Sequence, residues 1–210
     1  MRVELRADGG VRLHGYVNVV GRDSRTLRDK TGPYVEQVTP GAFARALKDG
    51  GAVELRFNHR KSLGGTDGGN LELREDNVGL LADADVQDEE VAEKARNREL
   101  RGWSFGFVKK TDHWKTDADG TRHRYLDELE LREVSVLDKT PAYIATSIET
   151  RGEDDILVEY RMEELAGDAD YVRQTETQSQ SQTTTMTPEE TDTMTMVQRT
   201  VEIYKMKRRH

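Results

Sequence analysis

The chain has 210 residues, 34% hydrophobic and 34% charged, with a net charge of −8 and no cysteine. A typical globular chain is ~45–50% apolar and ~25% charged, so part of this one is not core-forming; the length fits one ordinary domain with an appendage. Disulfides, thiolate metal sites and a Cys nucleophile are excluded, a reducing setting fits, the acidic balance argues against general nucleic-acid binding, and neither an apolar run of about 18 residues nor an apolar stretch after Met1 predicts a membrane span or a secretory signal.

In chain order, Val11, Leu13, Gly15, Val17 and Val19 alternate with mostly polar neighbours and predict a strand. Tyr34–Val38 is a second, short one. Pro40–Leu47 predicts a helix opening at Thr39 or Pro40 and ending at Gly50-Gly51. Ala52–His59 predicts a strand with Val53, Leu55, Phe57 and His59 on one face and Glu54, Arg56 and Asn58 on the other. Gly64-Gly65 and Gly68-Gly69 bracket a loop. Leu80, Ala82, Ala84 and Val86 share a strand face, and Val91–Leu100 predicts a short charged helix. Trp103, Phe105 and Phe107 point one way from a strand, with Ser104, Gly106 and Val108 on the other side. Asp117-Ala118-Asp119-Gly120 is a turn, and Leu126–Leu137 is a long final strand before Pro141. The pattern predicts a mainly β, α+β fold: a β-barrel of about seven strands ringed by a few short helices. Composition changes near Arg151, so residues 1–150 form the domain. Residues 151–172 are acidic, residues 174–185 read as disordered Ser/Thr/Gln-rich linker, and Lys205–His210 is a basic end.

Three residues are candidates for chemistry. His59 ends an apolar strand face; a packed histidine and a functional one both fit. Ser104 sits in Gly102-Trp103-Ser104-Phe105-Gly106-Phe107, where a glycine two residues on leaves room beside Oγ for a carbonyl to approach; an ordinary serine on a strand face fits equally well. Glu133 shares a predicted face with Leu129, Leu131, Ser135 and Leu137, so it is part-buried and needs a partner. That partner is His59, whose imidazole a carboxylate would orient, or Arg132 or another arginine. No histidine pair or His–carboxylate cluster predicts a metal. Asp83, Asp85, Asp88, Glu89 and Glu90 read as a solvated acidic face.

Several blocks, in order, resemble the prohead maturation proteases of tailed bacteriophages. They are Tyr34–Phe43 (YVEQVTPGAF), Phe57-Asn58-His59, Leu63-Gly64-Gly65-Thr66, Gly79-Leu80, Ser104-Phe105-Gly106-Phe107, Leu131–Val136 (LREVSV) and Pro141-Ala142-Tyr143. No one block is specific; the ordered set, over roughly residues 10–150, is. The resemblance implies a fold like that of herpesvirus assemblin-type proteases, Ser104 as nucleophile, His59 as base and Glu133 as third member. Related viral proteases use a second histidine in that third place, and Arg60 stands where an aspartate is common. It further implies a serine endopeptidase needing no cofactor or metal. Its substrates would be the major capsid protein with its scaffold segment, and itself, cut within the 151–210 region. It would act as a dimer or larger homo-oligomer in the host cytoplasm, inside the assembling prohead. The Gly-rich loop at 64–69 is a candidate source of oxyanion donors. Two other readings are a non-enzymatic capsid assembly or scaffold protein and a small ligand-binding barrel.

Overall fold

The computed structural model of the chain describes residues 1–138, 148–151, 157–163 and 170–173, with the side chains of 1–138 and 159–161. The linker expected over 174–185, the basic end expected over 205–210 and Pro141 lie outside the described residues. Among the described residues, thirteen strands fall in two sheets. The first contains β1 (Arg2–Leu5), β2 (Val11–Val19), β7 (Leu71–Glu75), β8 (Gly79–Val86) and β13 (Asp170–Arg173), in the order β13-β1-β2-β8-β7. The second runs β11 (Ile148–Arg151), β12 (Leu157–Glu163), β9 (Gly102–Thr116), β10 (Arg122–Leu137), β4 (Gly32–Val38), β3 (Leu27–Asp29). β5 (Glu54–Phe57) pairs with the far half of β10, and β6 (Lys61–Gly65) pairs with β5.

The mainly β expectation with a few short helices holds. The seven-stranded barrel does not emerge: neither strand order closes among the described residues. The surplus strands explain the difference. β1, β3 and β7 are only three to five residues long, too short for a two-residue period to mark them, and β11 to β13 follow the stretch read as the final strand.

The core lies where the two apolar sheet faces meet the helices. Leu80, Ala82, Ala84 and Val86 are buried opposite Val11, Leu13 and Val17, as the alternation requires. Trp103, Phe105 and Phe107 are 1% exposed or less and project from β9 into this core, where Phe43 meets Phe105 edge-on at 5.3 Å.

Both predicted helices form, with shifted ends. α1 (Ala42–Asp49) starts two residues late, after Gly41 at φ 86°. Glu75 of β7 explains the start: its two carboxylate oxygens accept the Gly41 and Ala44 N–H groups at 2.6 Å each, a cap from 34 and 31 residues away that no local motif encodes. α2 (Glu89–Arg96) starts earlier than predicted because Asp88 caps it, accepting the Val91 N–H at 3.2 Å, with Glu89 and Glu90 in the first turn. Asp88→Ala should cost about 1 kcal/mol, read as a lower urea midpoint at unchanged slope; an unchanged midpoint would show that the cap is not used.

Candidate active site

His59 does not lie on the strand face predicted for it. β5 ends at Phe57, and Asn58 and His59 both take left-handed backbone, φ 52° and 59°. Two consecutive non-glycine residues there cost on the order of 1–2 kcal/mol each. The end of β10 holds the turn in place. The Asn58 N–H donates to the Val136 carbonyl at 2.9 Å, the His59 N–H to Ser135 Oγ at 2.9 Å, and Asn58 Oδ1 accepts the Asp138 N–H at 3.2 Å. The turn takes the imidazole out of the apolar stack of Leu55 and Phe57 and sets it against Glu133, at 25% side-chain exposure.

Glu133 reaches that position through a bulge. Phe107 pairs with Leu131, but the next residue back on β9, Gly106, pairs with Glu133, so β10 carries one extra residue, Arg132. The insertion reverses the alternation. Leu131 stays with Phe107 on the core face, and Glu133 moves to the face of Ser104 and Gly106. Glu133 therefore shares no face with Leu131, contrary to the alternation read from sequence. The carboxylate is 5% exposed and uses both oxygens: Oε1 lies 2.5 Å from His59 Nδ1, and Oε2 lies 3.1 Å from Arg56 Nε. Arg132, the arginine expected as one alternative partner, pairs with Glu130 instead. The hydrogen bond that Arg56 donates to Glu54, reinforced by the Glu133 charge, raises the Arg56 pKa against the pull of burial, so Arg56 stays cationic beside the carboxylate. With Nδ1 given to Glu133, the imidazole keeps Nε2 for proton transfer.

Ser104 pairs with Ser135 in the ladder, which puts its side chain on the Glu133 face. It is 1% exposed, and its Oγ donates to the backbone carbonyl of Arg161 at 2.8 Å, so Ser104 and His59 share no hydrogen bond. The strand responsible is β12, antiparallel to β9, with Met162 opposite Ser104 and Tyr160 opposite Gly106. The Tyr160 ring meets the His59 ring edge-on at 4.7 Å. Gly106 is required by this crowding: a Cβ there would stand 2.7 Å from Tyr160 Cε1 and 2.9 Å from Glu133 Cγ. Gly106→Ala should push Glu133 or β12 aside at a cost of about 1–3 kcal/mol, and denaturant midpoints would read it; a wild-type midpoint would mean the space is not filled.

The structure thus joins His59 to Glu133 and sets Ser104 on the same sheet face, held by β12. Sequence reasoning missed four participants. Ser135, two residues after Glu133, was legible as a same-face polar group, and Arg56 as the polar side of β5. Tyr160 and Arg161 carry no local signal, being part of an acidic stretch. In the Gly-rich loop the Gly65 N–H donates to Asn70 Oδ1 at 2.9 Å, and Asn70 Nδ2 donates to the Leu63 and Asp85 carbonyls. The acidic face is ion-paired, Asp83 with Arg12, Asp85 with Arg6 and Asp88 with Lys61.

Residues 1–158 match the family described as caudovirus prohead serine protease. No curated protein and no solved structure matches the chain.

Proposed function

The chain belongs to the family of caudovirus prohead serine proteases, and from that membership we propose that Ser104 is the nucleophile of this serine peptidase, His59 its base and Glu133 the residue that orients the base. The non-enzymatic reading falls with the membership, since the family is one of serine peptidases of capsid maturation. What carries the residue assignment is the 2.5 Å contact of Glu133 with His59 Nδ1 on the sheet face that also bears Ser104.

Each step follows from that arrangement. Glu133 holds the Nδ1–H tautomer and leaves Nε2 basic. Nε2 takes the Ser104 proton as Oγ attacks a peptide carbonyl, then gives it to the leaving amine as the C–N bond breaks, which leaves the acyl-enzyme. Water, activated by the same Nε2, releases the acid. As imidazolium forms, the buried Glu133 carboxylate offsets its charge, while its ion pair with Arg56 holds that carboxylate in place. The substrates are the capsid protein with its scaffold segment and the protease itself. The setting is the assembling prohead in the host cell, and the active form is a homo-oligomer.

A fluorophosphonate tests the nucleophile. Applied to chain recovered from cells in which capsid subunits are being cut, it should add its mass to the peptide holding Ser104 and to nothing in Ser104→Ala. Modification of another serine would overturn the assignment.

A further inference from the structure

We propose that β12 occupies the substrate's place on β9, and that the Arg161–Met162 peptide bond is a self-cleavage site read by a pair of buried charged groups, Glu36 and Arg124; the proposal rests on Ser104 being the nucleophile. β12 lies where an extended peptide would add to the strand carrying Ser104. It runs antiparallel to β9 over five paired residues, Glu159↔Phe107 to Glu163↔Trp103. The carbonyl nearest to Ser104 is that of Arg161, 2.8 Å from Oγ, and the residue before it, Tyr160, touches the His59 ring. One carbonyl of the strand is thus placed at the nucleophile, beside a residue in contact with the base.

The side chains of the strand are bound as selectively as its backbone. Glu159 and Arg161 point to the core side of β9 and are 3% and 7% exposed. The body of the protein meets each with the opposite charge. Glu36 of β4 grips Arg161 with both oxygens, at 2.6 Å to Nε and 2.9 Å to Nη2. Arg124 of β10 grips Glu159 with both Nη atoms, at 2.8 and 3.0 Å. Arg124 also reaches Glu36 and Asp112, and Arg161 lies 5.3 Å over the Phe107 ring. Burial pushes the Glu159 carboxyl up, but Arg124 and Arg161 bring its pKa below the usual range, so it is bound as the anion. The Arg124–Glu36 contact uses only Nη1 and Oε2, so Arg124 Nη2 and Glu36 Oε1 are left for an incoming strand to answer, and burying them unanswered is costly. A strand of the form Glu-x-Arg answers both, at the spacing that brings the arginine carbonyl to Ser104.

The step balances as a hydrolysis. Ser104 Oγ bonds to the Arg161 carbonyl carbon while its proton passes to His59 Nε2. The Arg161 C–Met162 N bond breaks and the proton moves to the Met162 nitrogen. Water then cleaves the ester, leaving one chain ending at the Arg161 carboxylate and another beginning at Met162 with a free amine. The cut falls three residues beyond the segment that matches the family, 158 against 161, so the matched domain stays whole.

The test uses the full chain, followed over time by intact mass, with fluorophosphonate labelling of parallel samples. The expected result is loss of full-length chain in favour of residues 1–161 and 162–210, with none in Ser104→Ala. Arg161→Ala, which strips Glu36 of its forked partner and leaves it Arg124 alone, should slow the cut on the order of a hundredfold, and Arg161→Lys, which keeps the charge but not the fork, should fall between. Ser104-dependent cleavage only at another bond, such as one in 174–185, overturns the proposal and spares the protease assignment. So does an unslowed cut in Arg161→Ala, or a full-length chain that persists although Ser104 takes the label. Because Arg161→Ala frees β12 from its anchor, Ser104 is open to the label there. An unlabelled Ser104 in that variant, with no cut in the wild type, would count against the nucleophile itself.

Discussion

Ser104→Ala, co-expressed with the capsid protein of the same phage, leaves the capsid subunits at full mass. Removing the nucleophile of a serine peptidase costs on the order of 10⁶ in kcat, enough to reduce maturation cleavage to nothing on the time scale of assembly. The fold should survive. Ser104 contributes one hydrogen bond, to the Arg161 carbonyl, and no packing that alanine cannot supply; losing such a bond costs about 1 kcal/mol. Loss of activity with a wild-type melting temperature separates chemistry from folding. Cleaved capsid subunits in the presence of the alanine variant would mean that the nucleophile is another residue.

Glu133→Gln should lower kcat by about 10⁴ while leaving substrate binding near wild type. The amide fits the same space, but its NH2 can donate to His59 Nδ1. That reverses the tautomer and places the ring proton on Nε2, where the Ser104 proton must go. The amide also withdraws the negative charge that faces His59 and Arg56. Turnover of a peptide substrate, with KM and kcat measured separately, reads the effect. A loss in KM alone would make Glu133 a structural partner of Arg56 and move the orienting role elsewhere.

Much of this fold is written locally. Apolar residues at every second position mark β2, β8 and the Trp103–Phe107 stretch because one side of each strand is buried against the core and the other is not. The turn at Asp117–Gly120 is legible because Gly120 must adopt φ 87°. The short strands escape notice because their pairing partners, more than their own side chains, make them strands. β1 is Arg-Val-Glu-Leu and is held by β2 on one side and β13 on the other. The start of α1 is similar, set by a carboxylate on β7 that no local pattern can point to.

Local pattern along the chain picks out the residues that could do chemistry: a serine between aromatics, a histidine closing a short apolar run and a glutamate in the last long stretch. It also carries their family membership, through blocks in order. How they meet depends on contacts between distant segments. A two-residue period cannot anticipate one inserted residue, so the face of Glu133 depends on the register that β10 adopts against β9. His59 reaches Glu133 because the end of β10 stabilises a left-handed turn that the chain alone would avoid. Ser104 meets Arg161 because Glu36 and Arg124, distant by 125 and 35 residues from their partners on β12, make burial of an acidic strand's charges favourable. Alternation and turn chemistry act between neighbours in sequence; bulges, long-range caps and buried charge pairs arise only when distant segments share a dry interior.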